Sequence, residues 1–233
     1  MEKSCPKIYK VKDVEGDERF NDLHPNLPSM PSCCLIVGSI FSGKTNLCVN
    51  FFCSDQFFKD RFEIVRVLST TLHQDKKMQM MDEHFDCDDH YEDTFIDEIM
   101  TSQSKYPKET RPTYALLLDD ILTNEFAKRN NKLAFFTSKM RHFIDFLIIS
   151  TQSVNHIPPL IRAQVRDIII ARQNNFKEVL KLQEQFSGLL GENGDETFMR
   201  LYNYCHSEPF RFMYIKGSKS PCEVFLNFEE KIF

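Results

Sequence analysis

The chain has 233 residues, enough for one sizeable α/β domain and short for two. Its hydrophobic fraction of 42 % is ordinary for a globular protein. A net charge of −5 excludes a uniformly basic nucleic-acid binder, though not one with a single cationic face.

Residues 1–30 are polar and carry Pro25 and Pro28, so they are expected to form an extended N-terminal segment ahead of a domain over 31–233. No apolar stretch of a signal peptide opens the chain, and no apolar run approaches the roughly 20 residues needed to span a bilayer. The eight cysteines contain no CxxC pair, and Cys33, Cys34 and Cys48 lie within apolar runs, where cysteine behaves as a small buried hydrophobe. The expected setting is therefore reducing, intracellular and free of membrane.

Cys33–Val37 is a continuous apolar run ending at Gly38 and is expected to be a buried strand, with a helix over Thr45–Phe52 and a second strand over Glu63–Ser69. From Thr71 to Thr113 the pattern is weak and acidic, most strongly between Asp82 and Glu98, with a helix expected over His90–Met100. His84, Cys87 and His90 are spaced three apart, which on a helix would place them on one face. Tyr114–Leu118 is a buried strand running into Asp119 and Asp120, and Asn124–Met140 is expected to be helical and basic, with Lys128, Arg129 and Lys132. Strands follow over Asp145–Thr151 and Asp167–Ala171, then helices over Phe176–Phe186 and Glu196–Tyr204. Phe210–Ile215 and Glu223–Asn227 read as a C-terminal β-hairpin. Strands that are apolar throughout, alternating with helices, predict an α/β fold with a mostly parallel sheet covered on both faces.

The first strand and helix bracket Gly38-Ser39-Ile40-Phe41-Ser42-Gly43-Lys44-Thr45, a match to G-x-x-x-x-G-K-[ST] in the strand–loop–helix setting that motif requires. A triphosphate needs several N–H donors converging on its oxygens, and a loop at a helix N-terminus supplies them where the helix dipole also favours negative charge. Gly38 and Gly43 allow the tight backbone path, Lys44 is expected on the β- and γ-phosphates, and the Thr45 hydroxyl on Mg²⁺. The expected cofactors are thus ATP and Mg²⁺. Asp119, at the end of an apolar strand, is placed to hold the Mg²⁺, and Asp120 to act as base or to position the attacking water. Gln152, at the tip of the next strand, is suited to hydrogen-bond both the γ-phosphate and that water.

These motifs, with Arg141-His142 leading into Ile148-Ile-Ser-Thr-Gln152 and with Ile157-Pro-Pro-Leu-Ile-Arg162, resemble the poxvirus-type genome-packaging ATPases, viral relatives of the FtsK and HerA DNA translocases. The resemblance covers about Ser32 to Arg172. It implies a RecA/FtsK-like P-loop fold with a further strand between the P-loop strand and the metal-binding strand. It also implies ATP-driven movement of double-stranded DNA into a capsid by a homo-oligomeric ring of about five or six subunits. Capsid or portal-vertex proteins would be partners, and the host-cell cytoplasm or a viral factory the place of action. Arg162, beyond the Pro158-Pro159 turn, is the first choice for an arginine given to a neighbour's active site, ahead of Arg141 and Arg166. Where the wider group has Glu this chain has Asp120, and near Arg162 it has Arg-Ala-Gln rather than Arg-x-Asn. Other readings are a cellular DNA translocase or helicase, a nucleoside or nucleotide kinase, and a P-loop switch with little turnover. A GTPase is disfavoured because Asn131-Lys132-Leu133-Ala134 lacks the Asp of the guanine motif.

Overall fold

The computed structural model describes residues 18–121, 132–218 and 221–233. The apolar runs become strands with every side chain buried: β1 (Ser32–Val37), β4 (Tyr114–Asp119), β5 (Phe146–Thr151) and β6 (Asp167–Ala171). β2 (Ile64–Ser69), β3 (Asp86–Asp88), β7 (Phe212–Lys216), β8 (Glu223–Leu226) and β9 (Glu230–Lys231) complete one sheet in the order β3-β2-β4-β5-β1-β6-β7-β8-β9. From β3 to β6 the neighbours run parallel, and β7, β8 and β9 are antiparallel. The C-terminal hairpin is thus present and is extended by a further short strand. β5 lies between β1 and β4, as the resemblance implies.

The period-2 alternation of a strand divides the core into two layers. Cys33, Leu35 and Val37 of β1 face one side, packed with Phe95, Ile96 and Ile99 of α3 (Asp93–Gln103), with Leu133 and Phe136 of α4 (Lys132–Lys139), and with the later helices. Those are the short α5 (Pro159–Arg162), α6 (Phe176–Phe186) and α7 (Gly194–Cys205). Cys34 and Ile36 face the other side, against α1 (Lys44–Cys53) and α2 (Lys76–Asp82). That second layer is where the phenylalanines gather: Phe51, Phe58, Phe62 and Phe146 pack with ring centroids 5.1 to 6.2 Å apart. Each such ring, fully buried, stabilises the fold by about 1.5–3 kcal/mol.

Two buried carboxylates tie down the amino-terminal edge of the sheet. Asp145 accepts from the Tyr114 N–H at 2.8 Å and from Arg111 Nη2 at 2.6 Å. Asp167 accepts from the Ser32 hydroxyl and from Tyr214 Oη at 2.5 Å. Burial raises the pKa of both against the pull of these donors. Phe20, Leu27 and Met30 are buried in the second layer, and Lys216 Nζ donates to the Pro25 carbonyl at 2.6 Å and the Leu27 carbonyl at 2.5 Å, fastening the lead-in to the end of β7.

His84, Cys87 and His90 do not share a helix face. His84 follows α2, Cys87 lies in β3 and His90 in the bend beyond it, because the segment pairs as an edge strand with β2. Much of the acidic segment is matched locally: Asp86 and Asp88 each lie 2.9 Å from the Arg66 guanidinium, and Asp97 pairs with Lys132. Lys128 and Arg129 lie outside the described residues. Among the described residues no helix is long and apolar enough to cross a membrane.

Candidate functional site

The carboxyl ends of β1, β4, β5 and β6 open into a cleft of about 850 Å³ whose lining includes Gly43, Lys44, Thr45, Asp119, Asp120 and Gln152. The sequence places these residues far apart, and the strand order brings them together.

The loop between β1 and α1 explains both glycines of the motif. A Cβ on Gly38 would sit 2.5 Å from Ser42 Oγ and 2.7 Å from Ala171 Cβ, so only glycine fits. Gly43 has φ 98°, the left-handed region open to glycine at little cost. From there α1 begins at Lys44, so its unsatisfied N–H groups and the positive end of its dipole face the cleft. Lys44 is buried, and its Nζ donates to the Gly38 carbonyl at 2.7 Å and the Ser39 carbonyl at 3.2 Å. The neighbouring strand steadies the loop from outside. Ser39 Oγ donates to Gln173 Oε1 at 2.9 Å and accepts from the Asn174 N–H at 2.8 Å, just beyond β6.

Asp119 ends β4 in register with Ser69 of β2 and Ser150 of β5. Ser69 Oγ donates to Asp119 Oδ2 at 3.1 Å, while Asp119 Oδ1 is buried with no hydrogen-bond partner among the described residues. Burial raises the Asp119 pKa, the Ser150 and Ser69 hydroxyls and the Lys44 ammonium pull the other way, and the charge of Asp120 adds to the rise. A cation in the cleft would relieve that cost. The donors at hand, Thr45 and Asp119 with the second orphaned oxygen at Ser42 Oγ, are all oxygens and suit a hard ion such as Mg²⁺.

Asp120 has φ 50°, a left-handed residue that turns the chain at the end of β4 while its N–H still bonds the Ser150 carbonyl at 2.9 Å. Gln152, exposed at the end of β5, donates from Nε2 to Asp120 Oδ2 at 3.3 Å. A carboxylate and an amide are thereby joined at the mouth of the cleft. Arg162 stands apart. It ends α5, is half-buried, is not among the residues lining the cleft, and its Nε is buried without a partner among the described residues. Asp167, the nearest carboxylate in sequence, is buried and bonded to Ser32 and Tyr214.

Three participants escape sequence reasoning. Ser69, which orients Asp119, carries only the weak signal of a polar strand end. Gln173 shows itself only through the pairing of β1 with β6. Phe210, 75 % exposed at φ 61°, lies over the loop, with its Cδ1 3.7 Å from where a Gly43 Cβ would be. No motif marks it.

No protein-family model and no curated protein matches the sequence. Solved structures do. The DNA-packaging ATPase B204 of Sulfolobus Turreted Icosahedral Virus is 14 % identical, with a TM-score of 0.60 over 84 % of this chain and 98 % of that one. The genome packaging NTPase B204 of Sulfolobus turreted icosahedral virus 2, in complex with AMPPCP, is 15 % identical, with a TM-score of 0.58 over 84 % and 97 %. Its complex with AMP gives 16 % and 0.57 over 84 % and 96 %. At such identities the likeness shows the fold alone: α/β, with a mostly parallel sheet flanked by helices and a C-terminal antiparallel hairpin, as the sequence led one to expect. All three structures are of proteins from Sulfolobus viruses, where the sequence suggested a poxvirus-type relative.

Proposed function

We propose that this chain is a Mg-dependent ATPase that drives double-stranded DNA, as a packaging motor drives it into a capsid. The observation that carries the reading is the Asp120–Gln152 hydrogen bond across the tips of β4 and β5, held beside the phosphate loop in one cleft. The loop N–H groups and Lys44 would bind the β- and γ-phosphates. Thr45 and Asp119 would hold Mg²⁺, which when bound neutralises charge on the phosphates. Asp120 would take the proton of a water that Gln152 aligns on the γ-phosphate. Because Gln152 touches Asp120, loss of the γ-phosphate would be felt at the carboxylate and passed on through β5. The similar structures, of a DNA-packaging ATPase and of a genome packaging NTPase bound to AMPPCP or AMP, support this choice over a kinase.

Phe210 offers an aromatic face at the cleft on which a purine base would stack. Phe210→Ala is expected to leave the melting temperature nearly unchanged, since the ring is exposed, and to raise KM for ATP roughly tenfold, within the scale of one base–aromatic stack. An unchanged KM would put the base elsewhere.

The test of the function is ATP turnover with and without long double-stranded DNA. Severalfold stimulation is expected. Turnover indifferent to DNA, with phosphoryl transfer to a nucleoside or nucleotide, would overturn the motor reading in favour of a kinase. Arg162, off its own chain's cleft, would complete a neighbour's site in a ring. Mixing inactive Arg162→Ala with inactive Lys44→Ala subunits should then restore part of the activity, because some interfaces pair an intact Lys44 with an intact Arg162. Normal hydrolysis by Arg162→Ala alone would remove it from that role.

A further inference from the structure

At the opposite, amino-terminal edge of the sheet lies a second cavity, of about 580 Å³. Its basic residues come from three of the segments that wall it: the approach to β4 with Lys108 and Arg111, the turn after α4 with Arg141 and His142, and the approach to β6 with Arg166; the start of β1 closes it with Met30, Pro31 and Cys33. Among the described residues that line it, the one carboxylate is Asp145. Its oxygens are committed to the Tyr114 N–H, to Arg111 and, at 3.5 Å, to Arg19. The cavity is therefore cationic well beyond what that one carboxylate balances.

A solvated basic surface would explain Lys108 and Arg141, which are exposed and make no ion pair with another described residue. It does not explain Arg111. That side chain is 2 % exposed and gives one nitrogen to Asp145, while Nε and Nη1 are buried with no hydrogen-bond partner among the described residues. A guanidinium with two unmade charged hydrogen bonds in a cavity wall is costly, because each buried donor left unsatisfied forfeits its hydration without replacement. Its planar fork matches the oxygens of phosphate, and the surrounding cations match more than one negative charge. The cavity is larger than a single phosphate group, which leaves room for whatever carries it.

We infer that this cavity is a second phosphate-class oxyanion site, separate from the nucleotide cleft, with Arg111 in its wall and Lys108, Arg141 and Arg166 around it. The phosphate oxygens belong either to a nucleic-acid backbone or to a free phosphate compound. The inference stands on this cavity's own residues and does not require the motor reading.

The test uses the full-length protein with its nucleotide cleft filled by saturating Mg-AMPPCP. Crystals are soaked in tungstate to locate a heavy oxyanion, and pyrophosphate and a short DNA duplex are titrated into wild type and into the double variant Lys108→Gln/Arg141→Gln. Both substituted side chains are exposed, and a melting curve checks that the fold survives. Tungstate is expected against Arg111. The double variant is expected to lose about tenfold or more in affinity for one titrant. Loss for pyrophosphate identifies a free phosphate compound. Loss for the duplex, with a salt slope lower by about 2, identifies a nucleic-acid backbone. If the cavity stays empty, or if tungstate binds but the variant takes both titrants like wild type, any ion there is adventitious and the inference fails.

Discussion

Lys44→Ala is expected to lose ATP hydrolysis by about a thousandfold or more while remaining folded. Its ammonium is the cation that the loop itself positions, through the Gly38 and Ser39 carbonyls, at the start of α1. A preorganised charge in a buried setting stabilises developing phosphoryl charge far more than a mobile one in water, and removing one such donor typically costs 10²–10³ in rate. On the proposed reading the same residue would also draw the substrate's phosphates, so the loss should appear in kcat/KM and in direct nucleotide binding. The substitution forfeits two hydrogen bonds to the loop, so a stability loss of about 1–2 kcal/mol is expected in thermal unfolding. Lys77 also lines the cleft, from α2, but it is exposed and rooted outside the loop. Turnover near wild type in Lys44→Ala would dismiss the phosphate loop as the catalytic site.

Asp120→Asn is expected to bind Mg-ATP as wild type does and to turn it over about 10²-fold more slowly or worse, the usual scale for a positioned general base. The variant is informative because of the backbone. At φ 50° only glycine, Asn and Asp are comfortable, so Asn removes the charge without straining the turn, and its amide oxygen still accepts from Gln152. The same torsion favours Asp over Glu at this position, since a longer side chain without local hydrogen bonds is less at ease in the left-handed region. Asp120→Glu is therefore a poorer probe: it would change reach and strain together. Binding and single-turnover hydrolysis, measured side by side, separate the outcomes. Equal loss of both would move Asp120 from the water to the metal.

The strands of the parallel sheet were legible because strands covered on both faces must be apolar throughout, and β6 is found over the very residues expected, Asp167–Ala171. β3 was not legible. It is a three-residue edge strand with two aspartates, and it exists through pairing with β2 rather than through any pattern of its own. The helix expected over His90–Met100 starts later, at Asp93, and runs to Gln103, where the apolar positions Phe95, Ile96 and Ile99 meet the core. In the site, Gly38 through Thr45 could be read because the loop's close approach and positive φ restrict residue types. Ser69, Gln173 and Phe210 act through neighbours supplied by other strands, so their positions depend on a topology that local patterns do not encode.

The place of β1 in the sheet has a consequence for biosynthesis. Its two partners, β5 and β6, are made long after it, and the loop that follows it leans on Ala171, Gln173 and Asn174. A nascent chain that has emerged only as far as β4 holds the whole phosphate-loop sequence but none of the strands that border it. Pairings this distant in sequence are slow to form, because loop closure must precede any contact that rewards it. Nucleotide cannot act as an early folding template here. It can stabilise the domain only after residues through Asn174 have left the ribosome, and a chain truncated before β5 should emerge without affinity for it.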